Sequence, residues 1–213
     1  MAQAEQTAIA TFEEADPELV DLPAPPRVRR FAAMTVMALS VAASLAFLTT
    51  LRSDIGYFFA NATAEDLGDA MAVDAAALEP NTYVRVSGSP MASGTVRYSR
   101  MFSGTYAVYP LAGQRTIFVQ IPLDGPQDER LLQRREYAGR LVTFGQLGSR
   151  FGPVERYLDG RMDLEVSGES FLLLADQPPR TYSWALFLAA LCVLFVFLNV
   201  FLLWRWFRPL PTS

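Results

Sequence analysis

The chain is 213 residues long, carries a net charge of −4 and is 51% hydrophobic. It has no histidine and no lysine, so all 18 of its basic residues are arginine, and its single cysteine is Cys192. These absences exclude histidine-based triads, imidazole and thiolate metal sites, iron–sulfur clusters, Schiff-base chemistry and an intramolecular disulfide.

In chain order, residues 1–30 come first, with six acids, three arginines and Pro17, Pro23, Pro25 and Pro26. They predict a disordered, acidic, Pro-rich cytoplasmic tail. An uncharged apolar run follows at residues 31–51, and a second lies at residues 184–204. Each forms a helix of about 31 Å, enough to cross a bilayer core. Arg27, Arg29 and Arg30 precede the first run, while Arg205 and Arg208 follow the second. The positive-inside rule then places both termini, including the short tail at 205–213, in the cytoplasm and residues 52–183 outside. Trp184 and Trp204 mark the two ends of span two, where indole rings prefer the interface. Ala60-Asn61-Ala62 fits a signal-peptidase site, but the acidic leader and the length of the first run favour an anchor. Arginine-only basicity in an Ala-rich chain points to a GC-rich bacterial genome, and so to a bacterial inner membrane.

Residues 52–81 read as a connector with helical pieces. Thr63 and Asp66 fit a capping pattern before Leu67, and the Ala-rich run to Leu78 favours helix until Pro80. Glu65, Asp66 and Asp69 are expected as early-turn acids rather than a Ca²⁺ cluster. From Thr82 the period becomes two. Strands are predicted at residues 82–87, 95–102, 106–109, 115–121, 140–146 and 170–175, with short helices at 128–137 and 153–158. The resulting domain, residues 82–177, is of ordinary size for a single core. A mainly β fold is expected between the two transmembrane helices, either a small OB-like barrel or a curved antiparallel sheet with one or two short helices. Residues 178–183, with Pro178-Pro179, link it to span two.

Tyr83-Val84-Arg85-Val86-Ser87-Gly88 resembles the opening strand of the membrane-tethered OB domains of cytochrome c maturation haem chaperones. That family's covalent haem attachment uses a histidine, which this chain lacks, so the resemblance implies fold and not activity. The span–domain–span plan is similar to that of the Surf-type cytochrome oxidase assembly factors, in topology alone.

No catalytic motif stands out: G-x-S-x-G is absent, Ser89 has no base beside it, and Asp159, Asp163 and Glu165 do not by themselves make an acid/base pair. No cofactor or metal is implied. Two sets of residues remain. One is a membrane docking face, with Ala38, Ala42 and Ala46 at four-residue steps on span one and Ala185, Ala189, Cys192 and Asn199 on one face of span two. Asn199 is the strongly polar side chain of that span and is expected to find a hydrogen-bond partner. The other is a ligand or partner surface of arginines and tyrosines: Arg85, Arg97, Arg100, Arg130, Arg134, Arg135, Arg140, Tyr83 and Tyr98. The outer region balances 13 arginines against 16 acids, which argues against nucleic acid.

The expectation is a non-enzymatic accessory or assembly subunit of a cytoplasmic-membrane complex, respiratory by analogy of layout. It would contact the bilayer and an integral membrane partner or a second copy of itself. The alternative is a tethered module that binds an anionic lipid or cell-envelope fragment.

Overall fold

The computed structural model describes residues 27–91, 94–100, 104–123, 134–148, 151–162 and 166–207. The expected cytoplasmic tail, apart from its last four residues, therefore lies outside the described residues. The chain divides into two compact units, residues 1–46 with 194–213, and residues 47–193.

Two helices are long and apolar enough to span a membrane: α1, Arg27–Phe58, and α4, Ser183–Phe207. Side chains such as Val36, Leu39, Phe187, Leu194 and Phe197 are more than half exposed along them. In water such surface would be costly, at roughly 25 cal/mol per Å² of apolar area. In lipid it is the expected exterior. Helix α1 runs seven residues past the end of its apolar stretch, and that polar-tipped extension belongs to the second unit.

The second unit is built on one seven-stranded sheet. Its strands are β1 (Glu65–Asp69), β2 (Thr82–Ser87), β3 (Val96–Arg100), β4 (Gly104–Pro110), β5 (Ile117–Leu123), β6 (Glu136–Thr143) and β7 (Phe171–Ala175), in the order β1-β2-β6-β7-β5-β4-β3. The sheet is mixed, because β1 pairs with β2 and β5 with β7 in parallel. It is not closed, and β1 and β3 form its two edges. This corrects the expectation of an OB-like barrel or an antiparallel sheet.

The physical reason lies in β7. All five of its residues, Phe-Leu-Leu-Leu-Ala, are buried, and a strand apolar on both faces needs cover on both. It takes the centre of the sheet, between β6 and β5. On one face Val84, Val119, Leu141 and Leu173 form a core closed by Leu67, Val73 and Leu78 of the connector. On the other, Phe118, Val142 and Leu172 pack beneath Phe144 and beneath Phe151, Val154 and Leu158. Phe144 opens the short helix α2 (Phe144–Leu147), and Val154 and Leu158 lie on α3 (Gly152–Met162).

Two local readings change as well. The connector holds a strand and two 3-10 turns where a capped helix was expected. Asp69 caps the first turn through Met71 N and Asp74 the second through Ala76 N, while Gly68 has a φ of 73° that breaks any helix. Glu136 and Tyr137, expected at the end of a helix, begin β6; most of that predicted helix lies outside the described residues. Tyr137 sits in the first core, edge-on to Tyr109 at 6.0 Å. Burial raises the pKa of both hydroxyls, Tyr109's most.

Gly139 on β6 shows how closely the centre is packed: a Cβ there would overlap the Leu174 carbonyl. Gly139→Ala is expected to destabilise the domain by about 3 kcal/mol. Gly160→Ala, in open space on α3, should stabilise it by up to about 1 kcal/mol. Urea unfolding in detergent, followed by near-UV circular dichroism, measures both signs.

Candidate functional site: a buried arginine and a cavity at the helix ends

The register of the sheet places the site. Arg140 on β6 pairs with Leu174 on β7, and Leu174 with Gln120 on β5. Alternation along the strands sends Arg140, Leu174 and Gln120 to the same face, in one row. At about 4.8 Å per strand, Arg140 and Gln120 lie roughly 10 Å apart across Leu174.

Arg140 is 4% exposed. A guanidinium has five N–H donors, and three are placed on the protein. Nε donates to Asn81 Oδ1 at 2.9 Å, one terminal nitrogen to Asp54 Oδ1 at 2.6 Å, and the other to Ser53 Oγ at 2.9 Å. Ser53 and Asp54 lie on the polar extension of α1, and Tyr57 follows one turn later on the same face. The guanidinium carbon stands 4.7 Å from the Tyr57 ring centre and 4.6 Å from that of Tyr182, just before α4. The two rings meet edge-on at 5.0 Å. Their hydroxyls converge on one residue, Tyr57 donating to the Gln177 carbonyl at 2.7 Å and Tyr182 to Gln177 Oε1 at 2.6 Å. One side chain thus joins β6, the end of α1 and the start of α4.

Beside this clamp lies a cavity of about 780 Å³. The sheet contributes Tyr106, Gln120, Arg140, Val142 and Leu174; α1 contributes Phe47, Thr50, Leu51, Ser53 and Asp54. Gln146, Leu147 and Phe151, and Gln177, Thr181, Tyr182 and Trp184, complete the lining. All of these residues belong to the second compact unit. The volume lies within the usual range for small-molecule sites, about 300–1,000 Å³. Its wall is half apolar and half polar in character, and its two charges, Arg140 and Asp54, are paired with each other.

Gln120 is the unusual residue of the lining. It is 2% exposed, and its Oε1 accepts from the Tyr98 hydroxyl at 2.8 Å. The residue lines the cavity, and its Nε2 has no protein acceptor among the described residues. Tyr98 in turn stacks on Tyr106 at 5.7 Å.

Comparison with protein-family models, with curated proteins and with solved structures gives no match. The site's own geometry therefore carries the reading.

The structure does not gather the arginines and tyrosines expected as one surface. Arg85 on β2 and Arg97 on β3 are both exposed, but four strands separate them, about 24 Å across the sheet. Arg100 ends β3 on that same far edge. Arg134 forms a bidentate pair with Asp176 at 2.6 and 2.7 Å and covers Tyr137. Arg135 is exposed beside it, Tyr83 is half-buried, and Arg130 lies outside the described residues. Among the described residues of this set Arg140 lines the cavity, and Tyr98 reaches it through Gln120. Of the docking-face residues, Ala38, Ala42 and Ala46 are exposed. The covered positions of α1 instead include Met34, Met37, Val41 and Ser44. Ala185 and Asn199 are buried, Ala189 and Cys192 half-buried, and the Asn199 amide donates to Phe195 O within its own helix at 2.8 Å. Sequence reasoning missed Gln120, Gln177, Asn81, Asp54 and the two clamp tyrosines. A signal existed for Gln120, a lone amide in an otherwise apolar strand.

Removing the guanidinium leaves Asp54 without its partner and opens space between two tyrosines. Arg140→Ala is expected to cost about 3 kcal/mol, near the lower bound for breaking a buried pair. The Arg140→Met, Asp54→Leu double variant should cost less than the sum of its singles, because neither charge is then stranded. Thermal unfolding of the four proteins in one detergent tests the coupling.

Proposed function

We propose that the chain is a non-enzymatic, membrane-tethered binding module whose ligand is an amphiphile held in this cavity. The observation that supports the reading is the joint placement of a buried, half-satisfied Gln120 and an apolar wall of Phe47, Leu51 and Trp184. Those apolar residues border the two membrane-spanning runs, so the cavity lies at the depth where a bilayer changes from apolar to polar. An amphiphile matches both walls at once, and neither a soluble metabolite nor a bare hydrocarbon does. With positive flanks inside, the module belongs to the cytoplasmic membrane of a bacterium and presents its β-domain on the outer face.

Purification of the full chain from its native membrane in mild detergent, followed by denaturation and lipid mass spectrometry, tests this. Wild type is expected to release a stoichiometric amphiphile. Thr50→Trp, an exposed lining position where an indole would narrow the cavity, should release several-fold less. Equal lipid in both proteins, or none in either, sinks the reading.

One observation favours a second role as an accessory or assembly subunit: Ala38, Ala42 and Ala46 are exposed along α1. Small side chains at four-residue steps let another helix approach closely. Affinity purification of wild type beside Ala42→Leu should then show a stoichiometric membrane protein lost in the variant. An unchanged set of co-purifying proteins would remove this role.

A further inference from the structure

We infer that the cavity reads the acyl-ester carbonyls of a diacyl glycerolipid, and not the charge of its headgroup. The inference rests on the amphiphile-binding reading above and specifies its ligand.

The ligand class follows from the hydrogen-bonding groups that remain after the protein has used its own. Three glutamines line the cavity, and the amide oxygen of each is already occupied. Gln120 Oε1 accepts from the Tyr98 hydroxyl, Gln177 Oε1 from the Tyr182 hydroxyl, and Gln146 Oε1 from the Thr143 backbone N–H at 3.4 Å. Each is left with its Nε2, for which no protein acceptor exists among the described residues. A glutamine in water is ambivalent, both donor and acceptor. Here the protein occupies an oxygen lone pair of each and leaves the N–H₂ ends unbonded, with Gln120 buried, Gln177 half-buried and Gln146 exposed. For Gln120, 2% exposed overall, an acceptor on a ligand would give the N–H₂ group a partner that the described residues do not.

Charge narrows the class of acceptor. The cation of the lining, Arg140, is ion-paired at 2.6 Å to Asp54, whose carboxylate also lines the cavity. A phosphate brought to Arg140 would meet that carboxylate too, so the lining gives no net attraction to an anion. What fits is an uncharged acceptor carried on an apolar chain. Ester carbonyls are such acceptors, and in a bilayer they sit where hydrocarbon gives way to polar groups, the level marked here by Leu51 and Trp184. Two carbonyls of one glycerolipid can take donors from two of the glutamines, while the acyl chains follow Phe47 and Leu51 toward the membrane.

The test uses the full chain in detergent, stripped of native lipid, with binding read by native mass spectrometry in pairwise competition. The probes are a diester phosphatidylcholine, its diether analogue with the same chains and headgroup, a diester phosphatidylglycerol and a long-chain N-acyl amide. The diester should outcompete the diether by roughly tenfold, as expected for the loss of one or two net hydrogen bonds. Phosphatidylglycerol should bind as phosphatidylcholine does, and the single-carbonyl amide more weakly than either. Gln120→Leu should abolish the ester preference. Gln177→Leu, at a half-buried position where folding is less at stake, should reduce it. Equal binding of diester and diether by wild type overturns the inference, and so does a preference that follows headgroup charge. Tighter binding of the amide overturns the glycerolipid assignment. Failure to retain any of the four probes defeats the amphiphile reading itself, which keeps the two failures distinct.

Discussion

The buried Arg140 guanidinium is the constraint on which the second unit depends. Taking a cation out of water costs several kcal/mol, and the protein meets that cost with an ion pair, two neutral hydrogen bonds and two aromatic faces. Each cation–π contact of this kind contributes about 0.5–2 kcal/mol. The net gain is small compared with an apolar core of equal volume. What the arrangement supplies is geometry, because the planar fork satisfies its partners in one orientation only. The end of α1, the strand β6 and the start of α4 are therefore joined at a fixed angle. Flexible linkers would have left the cavity between them without defined walls.

The same economy explains the sheet. A barrel would have given each strand one wet face, but β5 and β7 are apolar on both. Their burial demands two covering layers. The connector supplies one, with Leu67, Val73 and Leu78, and α2 and α3 supply the other. Helix cover extends over Phe118, Val142 and Leu172 but leaves the row through Arg140, Leu174 and Gln120 to the ends of the long helices. The cavity occupies that remaining stretch of sheet. It is a consequence of a two-sided sheet being larger than the helices that cap it.

Much of this was legible in the sequence, and the failures have physical causes. Uncharged runs of 21 residues marked both long helices, because nothing else buries so much apolar surface without interruption. Strands β2, β5 and β7 were placed within about two residues from their apolar patterns. Closure was misjudged because alternation in β2 and β3 dominated the reading, whereas the continuous apolar runs of β5 and β7 carried the information on layering. The connector's strand was hidden because its acids, Glu65, Asp66 and Asp69, read as the first turn of a helix, and the turns at Asp69 and Asp74 satisfy the same capping chemistry that was read as a helix start. Arg140 was noted as one member of a basic group. Its separation from the others follows from strand order, since β6 pairs with β2 on one side and β7 on the other, a long-range choice that no local pattern encodes.

The division of labour between charge and amide groups is the main argument about function. Had Arg140 been left unpaired in the cavity, it would attract any anion that reached the membrane surface, with little discrimination. Pairing it with Asp54 uses it for attachment and offsets its charge. The tyrosines repeat the device: Tyr57 and Tyr182 stack on the cation and then donate to Gln177, while Tyr98 donates to Gln120. The Tyr98 and Tyr182 hydroxyls leave Nε2 as the unbonded end of the Gln120 and Gln177 amides, while Tyr57 holds the Gln177 main-chain carbonyl. The contacts that join β6 to the end of α1 and the start of α4 thus also decide which amide groups of the lining stay unbonded.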